Sequence, residues 1–553
     1  MKDLLVVLLL LLFTVPAVRE LFVPGGFTSH DLTHHVLRQI SMDKLLSEGQ
    51  FPPRWSGELN NGFGYPVFLF NYPLPALTGE VFHKIGLDFV DSVKAVLVLS
   101  FFTSGVGMYL FLKALANSKL AAFLGSIFYI YAPIRFLIVY VSGTAGFALG
   151  AALVPFLFWA ITKLSQNTSF WYILAGSLSL VALITAHNVT TIIFTPAVLG
   201  LSGLMVWRSK ERLATSRNLG MMFLLGLGLS AWFWLPATFE KSLLRYDEVM
   251  GRFWADQYPT FDQLIRSPWG YGFAKPKGEP DGISFQIGLI HLAILVCSMG
   301  YLVYRRKSKD LDLWLFSIGA FFLSIFLMLE ISLPLWDYIP FLGFVQFPYR
   351  FLILSVFASS LTVALLIKWL PWKWPIFILL LFLVIYANRN HWRINETFNP
   401  PEEYYLTQKP TTSTYGEHLP KWGKIASLEA RGKLEIVGGA GKVAITKDYS
   451  DEVEGAVEVK EEAILRLNQY YFPGWVVEVD GKEVKINYLV DGESYGLQLF
   501  DIGLGRHLVE AKFINTPIRN LADRISLISL IICGTMILWK LLPQSLLKIK
   551  KSS

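Results

Sequence analysis

Long uncharged apolar runs constrain the fold of this chain more than any other feature of its sequence. A run of about 18 or more such residues can cross the hydrocarbon core of a bilayer as an α-helix. We count twelve runs of roughly this length, near residues 3–19, 91–112, 119–134, 144–163, 170–187, 189–207, 218–237, 284–304, 311–331, 350–369, 372–388 and 521–541. Since 53% of the residues are hydrophobic and only 16% are charged, the sequence predicts a polytopic α-helical membrane protein. The first run is expected to be an uncleaved anchor helix, because residues 15–19 form a poor cleavage site.

The charge and the cysteines exclude several other classes of protein. A net charge of +7 would suit a nucleic-acid partner, but in a membrane protein it more often comes from cytoplasmic loops. We therefore expect no nucleic-acid partner. Cys297 and Cys533 both lie in apolar runs, which argues against a structural disulfide and a cysteine metal site.

The short basic clusters predict the orientation of the chain. If the N-terminus is cytoplasmic and the runs alternate, every short basic cluster falls on the cytoplasmic side, as the positive-inside rule requires. The clusters are Lys113 with Lys119, Lys163, residues 208–217, residues 305–309, Lys368 with Lys373, and residues 548–551. We therefore predict a multi-pass protein of the plasma membrane with both termini cytoplasmic and its large loops extracytoplasmic. Nucleotide sugars and ATP are not supplied on that side, so an activated donor must be carried in the membrane.

The same assignment divides the chain into three regions. They are a transmembrane domain over residues 1–388 with a large first outer loop at 20–89, an extracytoplasmic domain over 389–517, and a last helix with a basic tail over 518–553. Within the first outer loop, the apolar stretch 65–77 contains three prolines and is too short to span a membrane. We expect this stretch to lie at the membrane surface.

Residues 389–517 have the alternating pattern of β-strands. Residues 475–479, the dipeptide Asp480-Gly481 and residues 483–486 together predict a β-hairpin. We predict a small antiparallel β-sandwich. Because no cluster of histidine, aspartate or cysteine occurs in it, we expect a packing or lid role for this domain rather than catalysis.

Ionisable residues are concentrated directly after the first apolar run, at the predicted outer face. They are His30, Asp31, His34, His35 and Arg38. If the stretch is helical, these side chains fall on two neighbouring stripes of one helix. Ser29 or Asp31 could simply cap that helix, but ionisable groups at a membrane face are costly and usually functional. The His-x3-His spacing is compatible with a divalent metal, although no second acidic cluster completes such a site.

Other polar groups also fall on the predicted outer face. His187 and Asn188 end one helix, which suits either compensation of a helix dipole or a polar contact to a substrate. Arg135 and Arg350 depart from the positive-inside pattern and lie beside aromatic residues, as recognition of an anionic lipid phosphate requires. The 238–283 loop mixes basic with aromatic residues, a composition typical of sugar and phosphate binding but also of a membrane-interface belt.

Ordered motifs along the chain resemble the bacterial and archaeal membrane proteins described as 6-pyruvoyl-tetrahydropterin synthase-related. These motifs are Asp31-x-x-His34-x-x-x-Arg38, Phe51-Pro52-Pro53-Arg54-Trp55, Gly62-Phe63-Gly64-Tyr65-Pro66, Tyr72-Pro73-Leu74-Pro75, Ala186-His187-Asn188, Ser284-Phe285-Gln286-Ile287-Gly288 and Gln346-Phe347-Pro348-Tyr349-Arg350. Near the C-terminus, Tyr471-Phe472-Pro473-Gly474-Trp475 with Val479-Asp480-Gly481 and Thr516-Pro517 is similar to the YfhO-like proteins implicated in glycosylating cell-envelope polymers. The resemblance covers nearly the whole chain, and no pterin-synthase zinc site is evident.

The resemblance implies a GT-C glycosyltransferase, a multi-spanning enzyme with an essential acid in its first outer loop. Such enzymes use polyprenyl-phosphate sugars as donors, and Asp31 occupies the position of the acid. Members of the family often carry another acid shortly after an Arg-Gly in the second outer loop, whereas residues 141–146 have neither feature. This departure counts against a two-acid or metal-assisted mechanism. No cofactor is expected to be obligatory, and a divalent metal has only weak support.

The leading hypothesis is transfer of a sugar from a polyprenyl-phosphate donor to an extracytoplasmic cell-envelope acceptor, which is a glycan, a lipid or a protein. Asp31 would act as base on the acceptor hydroxyl, with His30 and His34 tuning it by hydrogen bonding. The predicted substrate-binding residues are His35, Arg38, Arg54, Tyr65, Arg135, His187, Asn188, Gln346 and Arg350. The arginines among them would stabilise the leaving lipid phosphate.

The alternative hypothesis is a non-catalytic lipid-linked glycan transporter or envelope-assembly protein. Such a protein would need the arginines and aromatic residues but not the carboxylate of Asp31. A transporter should also carry polar residues deep within several helices. Here the polar residues cluster at the predicted outer face, which favours a reaction at the surface.

Overall fold

The computed structural model of the chain describes residues 2–274, 282–304, 310–407, 416–424, 432–489 and 496–541. The predicted basic clusters at 305–309 and 548–551 lie outside these residues. The first part of the chain contains the helices α1 Lys2–Val18, α2 Leu32–Ser47, α3 Val67–Phe70, α4 Leu74–Lys84, α5 Phe89–Ala116, α6 Lys119–Ile130, α7 Pro133–Phe136 and α8 Ala145–Gln166, with a π-helical turn over Leu137–Val141 between α7 and α8.

The remaining helices continue the bundle and end the chain. They are α9 Phe170–Ala186, α10 Asn188–Arg208, α11 Arg212–Leu229, α12 Ala231–Phe239, α13 Tyr246–Met250, α14 Phe261–Ile265, α15 Leu289–Tyr304, α16 Leu311–Met328, α17 Leu333–Tyr338, α18 Pro340–Gly343, α19 Leu352–Trp369, α20 Lys373–Ala387, α21 Glu402–Thr407 and α22 Pro517–Leu541. Each of the twelve predicted apolar runs falls on one or two of these helices, which confirms the mostly helical fold.

The lengths of the helices give a smaller number of candidate membrane spans than the twelve predicted. Among the described residues, seven helices are long and apolar enough to cross a membrane, or nine if each of two bent pairs is one span. The bends are 50° after α6 and 71° between α11 and α12. Three further apolar helices, α9, α15 and α20, are shorter. The total of twelve spans therefore stays a prediction.

The centre of the bundle is built around α19, whose residues are buried from Leu352 to Ile367. The ring of Phe357 lies 5.5 Å from that of Phe111 on α5 and 4.5 Å from that of Phe158 on α8. A helix that is apolar on every side is stable only when neighbours or lipid surround it. These aromatic contacts thus join α5, α8 and α19 into the core of the bundle.

The C-terminal region forms two antiparallel sheets from the strands β3 Leu434–Gly438, β4 Gly441–Asp448, β5 Glu452–Val459, β6 Ala463–Tyr470, β7 Trp475–Val479, β8 Lys482–Glu483, β9 Leu497–Ile502 and β10 Gly505–Phe513, while β1 Gly26–Phe27 pairs with β2 Thr397–Phe398 elsewhere. The strand orders are β4-β5-β10-β7-β8 and β3-β6-β9. Side chains of both sheets share one hydrophobic core, as predicted for a sandwich. The hairpin at Asp480-Gly481 is confirmed, although its second strand contains two residues rather than four.

The first outer loop packs into the core of the β region instead of lying on its own. Val67, Phe68, Leu69 and Phe70 are buried in that shared core, so these side chains contact protein, and the location of this stretch at the membrane surface stays a prediction. Trp55 donates a hydrogen bond from Nε1 to Oε1 of Gln469 on β6, at 2.6 Å. The boundary predicted at residue 388 therefore does not separate the loop from the β region.

Basic residues from different helices meet around shared carboxylates. Asp3 forms ion pairs with Lys113 at 3.0 Å and Lys119 at 2.8 Å. Asp310 forms ion pairs with Arg208 at 3.1 Å and with Lys368. Positions that the charge pattern predicts on one side of the membrane thus contact one another. The orientation itself stays a prediction.

Candidate functional site

Asp31, at the N-terminus of α2, forms hydrogen bonds with Ser142 and Thr144 of the second outer loop. The backbone N–H of Asp31 donates to the carbonyl oxygen of Ser142 at 2.8 Å. Thr144 donates a hydrogen bond from Oγ1 to Oδ2 of Asp31, also at 2.8 Å. The loop approaches this closely because Gly143 has a φ of +65° and no side chain, where a Cβ would collide with Ser29. Two loops that are distant in sequence therefore orient one carboxylate.

The carboxylate of Asp31 does not cap α2. The structure shows no hydrogen bond from this side chain to the first turn of the helix, and the N–H of Leu32 donates to Oγ of Ser29 instead, at 3.2 Å. Of the two predicted caps, Ser29 is therefore the one whose side chain bonds to the start of the helix, and Asp31 is not. The side chain of Asp31 faces a cavity.

This cavity has a volume of about 470 Å³, which is within the usual range for small-molecule sites. Five separate segments of the chain contribute its ionisable lining residues, which are His30, Asp31, His34, Arg38, His187, Lys241, Arg350, Glu417 and His418. The predicted residues Asn188 and Gln346 also line it. The lining thus contains two carboxylates, two guanidinium groups and one lysine side chain.

The loop before α19 orients Arg350 towards the cavity. Arg350 donates from Nη1 to the carbonyl oxygen of Val345 at 3.0 Å and to Oε1 of Gln346 at 3.2 Å. Gln346 in turn donates from Nε2 to the hydroxyl oxygen of Tyr246 at 3.2 Å. Gln346 has a φ of +63°, an uncommon conformation for a residue other than glycine and one that occurs often at functional sites. Arg350 is therefore oriented before any ligand binds.

His187 lies between two helices and has two roles. Its Nδ1 accepts a hydrogen bond from the N–H of Thr190 at 3.1 Å, which caps α10. In the neutral ring the proton is then on Nε2, and His187 also lines the cavity. The ring stacks on Phe147 at 5.1 Å and meets the ring of Tyr72 edge-on at 4.9 Å. The predicted substrate contact and a capping role are thus compatible.

His35 is buried beneath the cavity rather than in its wall. It is 5% exposed, and its ring lies 6.4 Å from that of Tyr72. Burial lowers the pKa of His35 well below its usual value, and the positive charge of Arg38 lowers it further. His35 therefore supports the lining residues from behind as a neutral imidazole.

Besides His35, the structure places three more predicted binding residues outside the cavity. Arg54 forms an ion pair with Asp523 of α22, and Tyr65 is fully buried in the core shared with the β region. Arg135 is fully buried in the bundle, where it donates to the carbonyl oxygen of Ser100 at 3.3 Å. The prediction that these residues line the site is corrected, because tertiary partners that are distant in sequence hold each of them elsewhere.

Sequence reasoning missed several lining residues. Lys241 and Tyr246 belong to the 238–283 loop, whose mixed basic and aromatic composition marked the loop but not the individual positions. Glu417 and His418 come from the region for which only packing was expected. No spacing pattern marks these two residues, since a short connecting segment brings them to the cavity.

The geometry does not assemble a metal centre at Asp31. Within the described ranges, the only three metal-ligand side chains whose ligand atoms converge are Glu452, Glu454 and Glu510, and none of them lines the cavity. Nε2 of His30 lies 2.9 Å from the carbonyl oxygen of Gly272, so this nitrogen carries a proton and is not available to a metal ion. A divalent metal stays a prediction.

One curated protein is similar in sequence to part of this chain. An uncharacterized protein of Lactococcus lactis subsp. cremoris (strain MG1363) is 27% identical over 223 residues, which are 39% of this chain and 36% of that protein. The chain thus spans about a third of the length of this curated relative.

Two solved structures are similar to this chain at low TM-scores. The oligosaccharyltransferase of Archaeoglobus fulgidus in its apo form matches with a TM-score of 0.40 and 12% identity, over 76% of this chain and 61% of that one. The arabinofuranosyltransferase AftD from Mycobacteria matches with a TM-score of 0.35 and 13% identity, over 76% and 27%. Both TM-scores are below 0.5, so neither match defines the fold or activity of this chain.

A family model gives the stronger result. It is described as "6-pyruvoyl-tetrahydropterin synthase related domain; membrane protein", and it matches residues 70–395. This range contains most of the helical bundle and more than half of the chain, and it confirms the family to which the motifs pointed. The chain therefore belongs to the 6-pyruvoyl-tetrahydropterin synthase-related family of membrane proteins.

Proposed function

We propose that this protein is a membrane glycosyltransferase that moves a sugar from a polyprenyl-phosphate-linked donor to an extracytoplasmic acceptor. The observation that supports this most is that the carboxylate of Asp31 shares one cavity with Arg38, Lys241 and Arg350. Glycosyl transfer from a lipid phosphate requires a base for the acceptor hydroxyl and positive charge for the phosphate that leaves. The cavity contains both kinds of group.

In the proposed reaction Asp31 accepts the proton of the acceptor hydroxyl while that oxygen bonds to the anomeric carbon of the donor sugar. The bond from this carbon to the phosphate oxygen breaks, and polyprenyl phosphate leaves with the electron pair. The hydrogen bond from Thr144 holds Oδ2 of Asp31, so we assign Oδ1 to the acceptor hydroxyl. Arg38, Lys241 and Arg350 would stabilise the charge that develops on the phosphate.

Apolar residues of the cavity suit a donor that is carried in the membrane. Leu137, Phe147 and Val189 line it beside the polar groups. Phe147 and Val189 lie in α8 and α10, two of the helices long and apolar enough to cross a membrane. A lipid-linked sugar could therefore place its head group in the cavity while its chain stays among the helices.

The decisive experiment replaces Asp31 by asparagine, which retains an oxygen acceptor for Thr144. We expect the wild type, in proteoliposomes with a panel of polyprenyl-phosphate sugars and acceptor-containing membranes, to release polyprenyl phosphate. Asp31→Asn should release it at least about 100-fold more slowly, because loss of a general base typically costs that much. Donor binding and the melting temperature should be retained.

Asp43→Asn is the matched control, because Asp43 lies on the same helix, pairs with Lys84 and does not line the cavity. It should have the wild-type rate. Wild-type turnover by Asp31→Asn would remove this carboxylate from the reaction. Movement of intact lipid-linked glycan across the bilayer, without release of polyprenyl phosphate, would instead support the transporter hypothesis.

A further inference from the structure

The second carboxylate of the cavity comes from the segment 416–424, which follows α21 and precedes β3. Glu417 and the adjacent His418 line the cavity together with Arg38 and Tyr246. Members of the family often carry an additional acid in the second outer loop, but residues 141–146 of this chain contain no acidic residue. A region that is far away in sequence therefore contributes a carboxylate and an imidazole to the same cavity.

Backbone pairing fixes the 416–424 segment at the cavity. The N–H of Arg245 donates to the carbonyl oxygen of Leu419, and the N–H of Lys421 donates to that of Leu243, both at 2.9 Å. Leu244 and Pro420 form an antiparallel bridge between these bonds. Leu419 is fully buried in the core shared by the first outer loop and the β region. The fold therefore determines where Glu417 and His418 lie.

His418 offers the cavity a neutral ring. Burial lowers its pKa, the negative charge of Glu417 opposes this effect, and the positive charge of Arg38 adds to it. The Nδ1 atom of His418 is buried and has no hydrogen-bond partner in the described part of the chain. A buried polar atom of this kind is costly unless a partner satisfies it. Because His418 lines the cavity, a ligand there contacts the residue that carries this atom.

Glu417 gives this wall of the cavity a different chemistry from that of the arginines. A carboxylate repels a phosphate but accepts hydrogen bonds from two neighbouring hydroxyls. Tyr246 lines the cavity together with Glu417. Burial raises the pKa of Tyr246 to about 12, and the charge of Glu417 contributes to the increase. Phe253 and Phe344 also line the cavity. Carboxylate, neutral imidazole and aromatic rings together suit a neutral, hydroxyl-rich ring.

We propose that Glu417 and His418 bind a neutral sugar ring, so that the 416–424 segment forms the sugar-binding wall of the cavity. This proposal rests on the proposed function, because it identifies the part of the substrate that these two residues contact. The ring could be the sugar of the lipid-linked donor or a sugar of the acceptor. Both sources present the same hydroxyl chemistry, and binding measurements separate them.

The test measures binding to the full chain in lipid nanodiscs. The probes are farnesyl phosphate, its esters with glucose, galactose, mannose and N-acetylglucosamine, and the methyl glycosides of these sugars in the presence of saturating farnesyl phosphate. Glu417→Gln and His418→Asn should each weaken sugar-dependent binding about tenfold, which is the usual effect of one hydrogen bond to a charged or buried group. Affinity for farnesyl phosphate alone should change less than about twofold.

Lys421→Gln is the matched control, since Lys421 is on the same segment, is exposed and does not line the cavity. It should leave every affinity unchanged. Weaker binding of the esters identifies the donor sugar as the ligand. Weaker binding of the methyl glycosides alone identifies an acceptor sugar. Glu417→Asp, which retains the carboxylate, should recover part of the lost affinity.

Three results would overturn the proposal. The first is unchanged sugar-dependent binding in both variants. The second is an equal loss of affinity for farnesyl phosphate alone, and the third is no sugar-dependent binding by the wild type. Failure of this proposal can also be distinguished from failure of the proposed function. Sugar-dependent binding without any release of polyprenyl phosphate would refute the transfer reaction and retain this site. Release of polyprenyl phosphate with unaltered binding in both variants would refute this site and retain the reaction.

Discussion

At the scale of single residues, the role of an ionisable side chain is decided by the groups that the fold brings to it. Asp31 and Arg135 both lie in segments predicted at the outer face. Thr144 holds Asp31 at the edge of a cavity, whereas Arg135 is fully buried, with its guanidinium over the ring of Phe101 at 5.2 Å. The aromatic neighbours that indicated phosphate binding for Arg135 instead form a cation–π contact inside the bundle.

His35 leads to a prediction about pH. Burial, followed by Arg38 and two neighbouring histidines, lowers the pKa of His35 well below its usual 6.5. Below pH 6.5 the unfolded chain binds a proton that the folded protein excludes, so the free energy of unfolding falls as the pH falls. One such group contributes a slope of up to about 1.4 kcal/mol per pH unit. Above pH 6.5 this group does not change the slope of the free energy of unfolding with pH.

We therefore expect His35→Gln to have a shallower loss of stability than the wild type between pH 6.5 and 5. The measurement is chemical denaturation in detergent across this range. His507→Gln is the comparison, because Asp480 raises the pKa of His507, and this variant should change the slope in the opposite direction. Equal slopes for His35→Gln and the wild type would contradict the assignment of a neutral, buried His35.

At the scale of elements, the ends of the helices form the site while their middles form the core. Asp31 precedes α2, His187 separates α9 from α10, and Arg350 lies in the 3₁₀ turn Pro348–Phe351 that leads into α19. Helix ends are where backbone groups need polar partners, so polar residues accumulate there. The predicted apolar runs 170–187 and 350–369 therefore indicated the ends near His187 and Arg350, whereas Asp31 was indicated by the ionisable residues around it.

Helix α8 must carry a glycine at residue 146 for Tyr72 to pack against it. A Cβ at Gly146 would collide with the ring of Tyr72, and this ring contacts His187. We expect Gly146→Ala to lower the free energy of unfolding by about 1–3 kcal/mol, as overpacking typically does. It should also slow the release of polyprenyl phosphate, because Tyr72 moves.

Gly220→Ala on α11 is the control for this substitution, since a Cβ there meets no atom within 4 Å. It should be neutral or stabilise the protein by about 0.5–1 kcal/mol, because alanine is the better helix former. Thermal melts of both variants in detergent measure the difference. If Gly146→Ala behaved like Gly220→Ala, close packing of Tyr72 on α8 would be refuted.

At the scale of the whole molecule, the β region is held to the bundle at both of its ends. Its N-terminal connection pairs with residues 243–245 through the 416–424 segment. At its C-terminal end, Nε of Arg519 on α22 donates to Oε2 of Glu240, which follows α12, at 2.8 Å. Arg519 is fully buried and Glu240 is 5% exposed. This ion pair connects the last helix to the part of the bundle that carries Lys241.

We expect Glu240→Ala to lower the free energy of unfolding by about 3–5 kcal/mol, because it leaves the charge of Arg519 buried without this carboxylate. Glu458→Ala, which removes the partner of Arg506 at the surface, should lower it by less than about 1 kcal/mol. Denaturation in detergent with a probe in the β region measures both. Equal losses would mean that the Arg519–Glu240 pair does not connect the two parts.

The sequence by itself determined the membrane class, the helices of the apolar runs, the antiparallel β region and the family. These features depend on local properties, namely apolar length, alternation, turn residues and ordered motifs. Only the tertiary structure decided that Glu417 and His418 join Asp31 in one cavity, and that Arg54 and Tyr65 do not. The reason is physical: the placement of each of these side chains depends on contacts between segments hundreds of residues apart, and no local pattern records such contacts.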